Sequence, residues 1–119
     1  MNNLKNSVRL IGYLGKDPQI KEVNSGKKMA RFSLATHDSY KDEEGITVIN
    51  TQWHHIVAWD RHAKIVEDNL KKGTEIALEG KLITRTYPDQ DGSKRYITEV
   101  VVNEIMILGA KSKKMEKEE

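Results

Sequence analysis

Only one stretch of this chain carries helical periodicity. Between Asp60 and Leu70, the residues Ala63, Val66 and Leu70 fall at i, i+3 and i+7, the spacing of one helix face. Asp60 suits the N-cap, Lys71 and Lys72 fall where a helix dipole is negative, and Gly73 suits the position just past the end. On both sides of this stretch the pattern has period two, the mark of half-buried strands. Val8, Leu10 and Leu14 share one parity, and Gly12 between them suggests a bend or a close backbone approach. Lys16-Asp17-Pro18 breaks that strand, and Gln19 to Val23 predicts a short second piece ending at the turn cluster Asn24-Ser25-Gly26.

The next strand covers 28–38, with Ala30, Phe32, Leu34 and Thr36 on one face and Met29, Arg31, Ser33, Ala35 and His37 on the other. Asp38 to Gly45 reads as a polar loop, and 47–59 as a long strand rich in Thr, Val, Ile and Trp. After the helix, 74–87 places Ile76, Leu78 and Leu82 on one face, and Pro88 to Ser93 predicts the turn of a protruding hairpin into 95–108. The class is all-β with one helix. Five strands with the helix between the third and fourth is the order of the OB-fold, a five-stranded Greek-key barrel; an open α+β sandwich is the alternative.

Composition narrows the function classes. With 119 residues the chain is one domain's worth. It has no cysteine, which removes disulfides, thiol nucleophiles and cysteine-ligated zinc and fits a reducing cytoplasm. The start shows no apolar signal segment, and no apolar run approaches the ~20 residues of a membrane span. The expected location is therefore cytoplasmic, with no membrane partner. Lys and Arg number 20 against 18 Asp and Glu, so binding to a polyanion depends on where the cations sit rather than on net charge. Residues 110–119 are rich in Lys and Glu and read as a short disordered tail after a domain at 1–109.

Seven residues are Phe, Trp or Tyr, so their positions matter. Trp53 and Trp59 share a parity but lie roughly 20 Å apart along a strand, too far for one stacking pair. They read either as core or as two separate platforms. Tyr40 and Tyr87 sit at polar edges with cations nearby, an arrangement that single-stranded nucleic acid uses for base stacking. Arg31, Lys41, Arg61, Lys72, Lys81, Arg85, Lys94 and Arg95 are candidate phosphate contacts. A catalytic set is not visible: there is no HExxH, paired-carboxylate, nucleophile or GxxxxGK[ST] motif. Adjacent His54 and His55 point to opposite strand faces, so they do not form a metal site with His37 and His62. The expectation is a binding protein rather than an enzyme, with no cofactor and no metal.

The chain resembles the bacterial-type single-stranded DNA-binding proteins. The matching segments, in the family's order, are Val8 to Pro18, Phe32 to Thr36, Thr51 to Val57, Leu70 to Gly73, Glu79 to Leu82 and Asp91 to Val100. The resemblance implies an OB-fold homotetramer, or a dimer, that protects single-stranded DNA in replication, recombination and repair, in a bacterial cytoplasm at the nucleoid. It carries the family's stacking positions onto Tyr40, Trp53, Trp59 and Tyr87, and its basic contacts onto Lys41, Arg61, Lys72 and Arg85. His55 falls where Arg is frequent. Arg9, Ile11 and Tyr13 on the second face of the first strand, with His54, are the implied subunit contacts. The residues from Lys111 to Glu119 depart from the acidic, apolar-ended tip with which many members dock replication and repair proteins, which puts those partners in doubt. A dimeric primosome-type OB-fold adaptor is the other binding class; it has no need of the aromatic set.

Overall fold

The computed structural model describes residues 5–23 and 25–110. Strands β1 (Val8–Leu14), β2 (Gln19–Glu22), β3 (Lys28–Lys41) and β4 (Thr47–Trp59) precede helix α1 (Arg61–Asn69), and β5 (Thr74–Pro88) and β6 (Lys94–Ala110) follow it. The sheet runs β1-β5-β6-β4-β3-β2, and a further β1–β3 pairing closes it. β4 and β6 are parallel through Ile56↔Val100 and Val57↔Val101, whereas the other pairs are antiparallel. β1 and β2 lie in tandem on one edge of β3, at Leu34–Ala35 and at Lys28–Arg31. Counted as one strand interrupted at Gly15–Pro18, they complete the five strands of a closed barrel, and the expected OB order stands.

The core takes the predicted parity in β1, β3, α1 and the barrel part of β5, while in β4, where the sequence leaves both parities open, Ile56 and Ala58 are the inward residues. Leu14, Ala30, Phe32, Leu34, Ile56, Ala58, Ile76, Leu78, Val100 and Val102 meet inside the barrel. Ala63, Val66 and Leu70 of the helical stripe close one end, and an ion pair of 2.5 Å from Lys28 to Glu67 ties α1 to β3. Gly12 lets two strands approach: a Cβ there would lie 2.1 Å from the Ala35 carbonyl oxygen.

Several local expectations are corrected. The segment from Asp38 to Lys41 is strand, paired residue by residue up to Lys41↔Thr47, so the loop shrinks to a turn at 42–46 and Tyr40 lies on β3. The Asp42 side chain accepts the amides of Glu44 and Ile46 and holds that turn. Polar residues form a strand here because this part of the ribbon is exposed on both faces, where apolar alternation is not required. Asp60 precedes the helix but makes no side-chain cap; its φ of 54° and ψ of −117° are outside the extended geometry that aims a capping carboxylate. Lys71 and Lys72 lie past the last turn, since Leu70 leaves the helix in extended conformation. Gly73 serves a separate turn, with φ 88° and an amide of Thr74 donating to Lys71 at 3.0 Å. Leu82, expected in the core, is 46% exposed where the β5–β6 arm leaves the barrel. Ala110 belongs to β6 rather than to a tail, which moves the expected 109/110 boundary; the disorder expected over 111–119, and the turn position Asn24, fall outside the described residues.

Candidate nucleic-acid interface

The register fixes which side chains share the barrel's outer face. Arg31 stands opposite Val57, Val57 opposite Val101, Lys81 opposite Val101, Glu99 opposite Ile83, and Arg85 opposite Ile97. One continuous outer surface therefore crosses β3, β4, β6 and β5. It carries Arg31 and Ser33, then Trp53, His55 and Trp59, then Glu99, then Lys81, Arg85 and Tyr87.

The aromatics on it are exposed: Trp53 is 58% accessible, Tyr87 42% and Trp59 36%. That excludes the core reading of the tryptophans. Trp53 has a built seat. A Cβ on Gly15 would lie 2.5 Å from its Cζ3 and 2.7 Å from its Cη2, so only glycine lets the indole lie against the β1–β2 connection. A cleft on one side of the ring is lined by Tyr13, Ala35, His37, Thr51, Lys72 and Gly73. Lys16 and Ser33 line a second cleft that also includes Gly15 and Trp53. Tyr40 is exposed too, but it shares the parity of Phe32 and Leu34 and faces away from Trp53 across the β3–β4 ribbon. Among the described residues no ring contact joins any two of the four aromatics; Tyr13 and His37 approach with centroids 6.3 Å apart.

The centre of the face is an ion triad. Glu99 is 1% exposed, and Arg31 Nη1 donates to its Oε2. From the other flank Arg85 Nε donates to Oε1 at 3.0 Å and Nη2 to Oε2 at 3.4 Å. Burial pushes the Glu99 carboxyl up, but the hydrogen bonds and charges of Arg85 and Arg31 together outweigh it and hold the group below its ordinary value. Lys16, Asp17, Gln19 and His55 rim the cleft above it.

The family model of the Single-strand binding protein family matches residues 5–108. The chain belongs to that family. Among its curated relatives is "Single-stranded DNA-binding protein 1" of Chlorobaculum tepidum, 45% identical over 107 residues, covering 89% of this chain and 66% of the relative. The Bacteroides thetaiotaomicron single-stranded DNA-binding protein is 43% identical over 113 residues, covering 89% and 67%. The chain thus spans about two thirds of the length of these two relatives. A solved structure, "Plasmodium falciparum SSB complex with ssDNA", superposes with a TM-score of 0.80 at 32% identity, covering 91% of this chain and 99% of that one.

The site residues expected for this family member fall into distinct places. Trp53, Trp59, Tyr87, Arg31, Lys81 and Arg85 share the outer face, with Arg95 opposite Tyr87, and Lys72 borders the Trp53 cleft. Arg95 is held by Asp89 at 2.6 Å. Lys41 lies at the tip of the β3–β4 ribbon and Arg61 at the start of α1. Lys94 pairs with Pro88 on the opposite parity of the arm.

Of the expected subunit contacts, Arg9 and Ile11 lie on the exposed side of β1, with Ile11 62% accessible. Tyr13 shares their parity on β1, two residues beyond Ile11, at the β1–β3 closure beside His37 and the Trp53 cleft. His54 is half-buried, its Nε2 2.9 Å from the Thr36 hydroxyl. Sequence reasoning missed Glu99, Lys16 and Gly15. Glu99 had a faint signal, as a lone carboxylate in the apolar run from Tyr96 to Val102. Lys16 and Gly15 had none, since Lys16 read as part of a strand break and Gly15 as the end of the first strand segment.

Among the described residues no helix is long and apolar enough to cross a membrane, and no group of three or more His, Asp or Glu could hold a metal ion.

Proposed function

We propose that this chain binds single-stranded DNA without marked sequence preference and protects it during replication, recombination and repair, in the cytoplasm and without catalysis. One observation carries the reading most directly. Trp53 is seated on Gly15 yet 58% exposed, on a face it shares with Trp59 and Tyr87. A large aromatic held in place but left uncovered is a platform for another flat ring, and every base has such a face. Lys16, Lys72 and Lys81 supply cations within the same surface for the phosphates between stacked bases. Tyr40 and Lys41, on the β3–β4 ribbon, and Lys94 and Arg95, on the β5–β6 arm, serve strand that runs past the barrel onto these projections. Arg61 does the same near Trp59.

The domain is the barrel through β6. It works as a homo-oligomer whose contacts include Arg9, Ile11 and the cleft that Ile11 forms with Ala77, Ile105 and Met106. That cleft is apolar and open, and an open apolar patch across the face of β1, β5 and β6 calls for a partner.

The test is titration of the protein with oligo(dT), followed by tryptophan fluorescence, beside a duplex of the same length. Stacking on Trp53 and Trp59 quenches the emission. Absent quenching, or equal affinity for duplex, refutes stacking as the binding mode and favours an adaptor that keeps the barrel without it.

A further inference from the structure

The triad at the centre of the face has a charge that does not follow from counting arginines. Arg31 and Arg85 are the cations nearest the middle of the proposed track. Both lean on Glu99, with their side chains 32% and 42% exposed and the carboxylate 1% exposed. Each guanidinium carries five N–H donors. Glu99 engages Arg31 through one nitrogen and Arg85 through two, so both keep donors free for solvent or a phosphate. The carboxylate sits on β6 while its partners come from β3 and β5, so it spans the face rather than capping one strand.

We propose that Glu99 is a positioning residue that sets the charge this face presents to phosphate. It fixes the directions of two guanidiniums and cancels one of their two charges, so the triad acts as two oriented donors with one net positive charge. This rests on the single-strand binding reading above. A strand is then gripped less by ion release and more by stacking, and affinity depends on salt less steeply than the number of basic side chains implies.

The experiment is oligo(dT) titration over a series of salt concentrations, with thermal melting as the check on folding. Each phosphate neutralised on a single strand contributes about 0.7 to the slope of log affinity against log salt. Glu99→Gln keeps the side chain's shape and removes the negative charge. The expected result is tighter binding at low salt and a slope steeper by about 0.7, so that the variant loses roughly 2.5-fold more affinity than the parent between 50 and 200 mM salt. The double variant Glu99→Gln with Arg31→Gln restores the triad to one positive charge, and the parental slope returns. Asp68→Asn, on the exposed side of α1, changes net charge equally and leaves the slope unchanged.

Should Glu99→Gln alone not fold, the slope difference between Arg31→Gln and the double variant reports the same charge. A folded Glu99→Gln with the parental slope overturns the proposal, as does equal steepening in Asp68→Asn. A parent protein that does not bind oligo(dT) refutes the binding reading itself and is recognised before any variant is compared.

Discussion

Trp53 shows how one glycine shapes an exposed surface. An exposed indole on a flat strand would sample rotamers, and fixing it on binding would cost entropy. Packing against Gly15 fixes it beforehand. Trp53→Ala is therefore expected to weaken oligo(dT) binding by about 1–3 kcal/mol with little change in melting temperature, since the ring is largely outside the core. The residual Trp59 emission keeps the titration readable. Glu99 gives a second expectation at this scale, in acid. Its folded-state carboxyl lies below the ordinary value, so protonation favours the unfolded chain. The stability it contributes is complete above the unfolded value of about 4.3 and is lost as pH falls through the folded value. Asp91, held low by the Ser93 hydroxyl and amide, adds a loss that begins lower, below its unfolded value of about 3.9. Urea midpoints are expected to fall steeply below about pH 4.3, and less steeply in Glu99→Gln.

The elements were legible in the sequence where a buried face or a run of strand-favouring residues marks them, and illegible where neither is present. Residue type, the run of Thr, Val, Ile and Trp, placed β4 from Thr47 to Trp59, and the 3.6-residue stripe placed Ala63, Val66 and Leu70 against the core. Neither signal reaches the outer end of β3, because Asp38 to Lys41 are polar and have no buried side to pattern. The site divides along the same line. Trp53, Trp59 and Tyr87 could be picked out by residue type, but the ion triad depends on bringing β3, β5 and β6 together, which register alone provides. Gly12 is the element-scale case where a sequence hint has a measurable consequence. Its Cβ would meet the Ala35 carbonyl, which belongs to a register pair closing β1 on β3. Gly12→Ala is expected to destabilise the domain by about 1–3 kcal/mol, as overpacking does, read as a lower urea midpoint at unchanged slope.

For the molecule as a whole, the barrel has two surfaces of different character. One is the charged aromatic face of β3, β4, β6 and β5. The other is the apolar cleft between β1 and β5–β6, with Ile11 62% and Met106 63% exposed beside it. Ile11→Lys places a charge in that cleft without touching the aromatic face. Light scattering is expected to show a smaller mass for this variant than for the parent, with oligo(dT) still quenching its tryptophans; an unchanged mass removes Ile11 from the interface. The parallel β4–β6 pairing has a further consequence, for synthesis. The β3–β4 ribbon is built from neighbours in sequence and has all its partners early. The barrel has no such independence, because Ile56 and Val57 wait for Val100 and Val101, near the end of the described residues. Until β6 is made, Ile56 and Val57 lack the strand they pair with, so the β3–β4 ribbon stays the edge of an open sheet while α1 and β5 are synthesised.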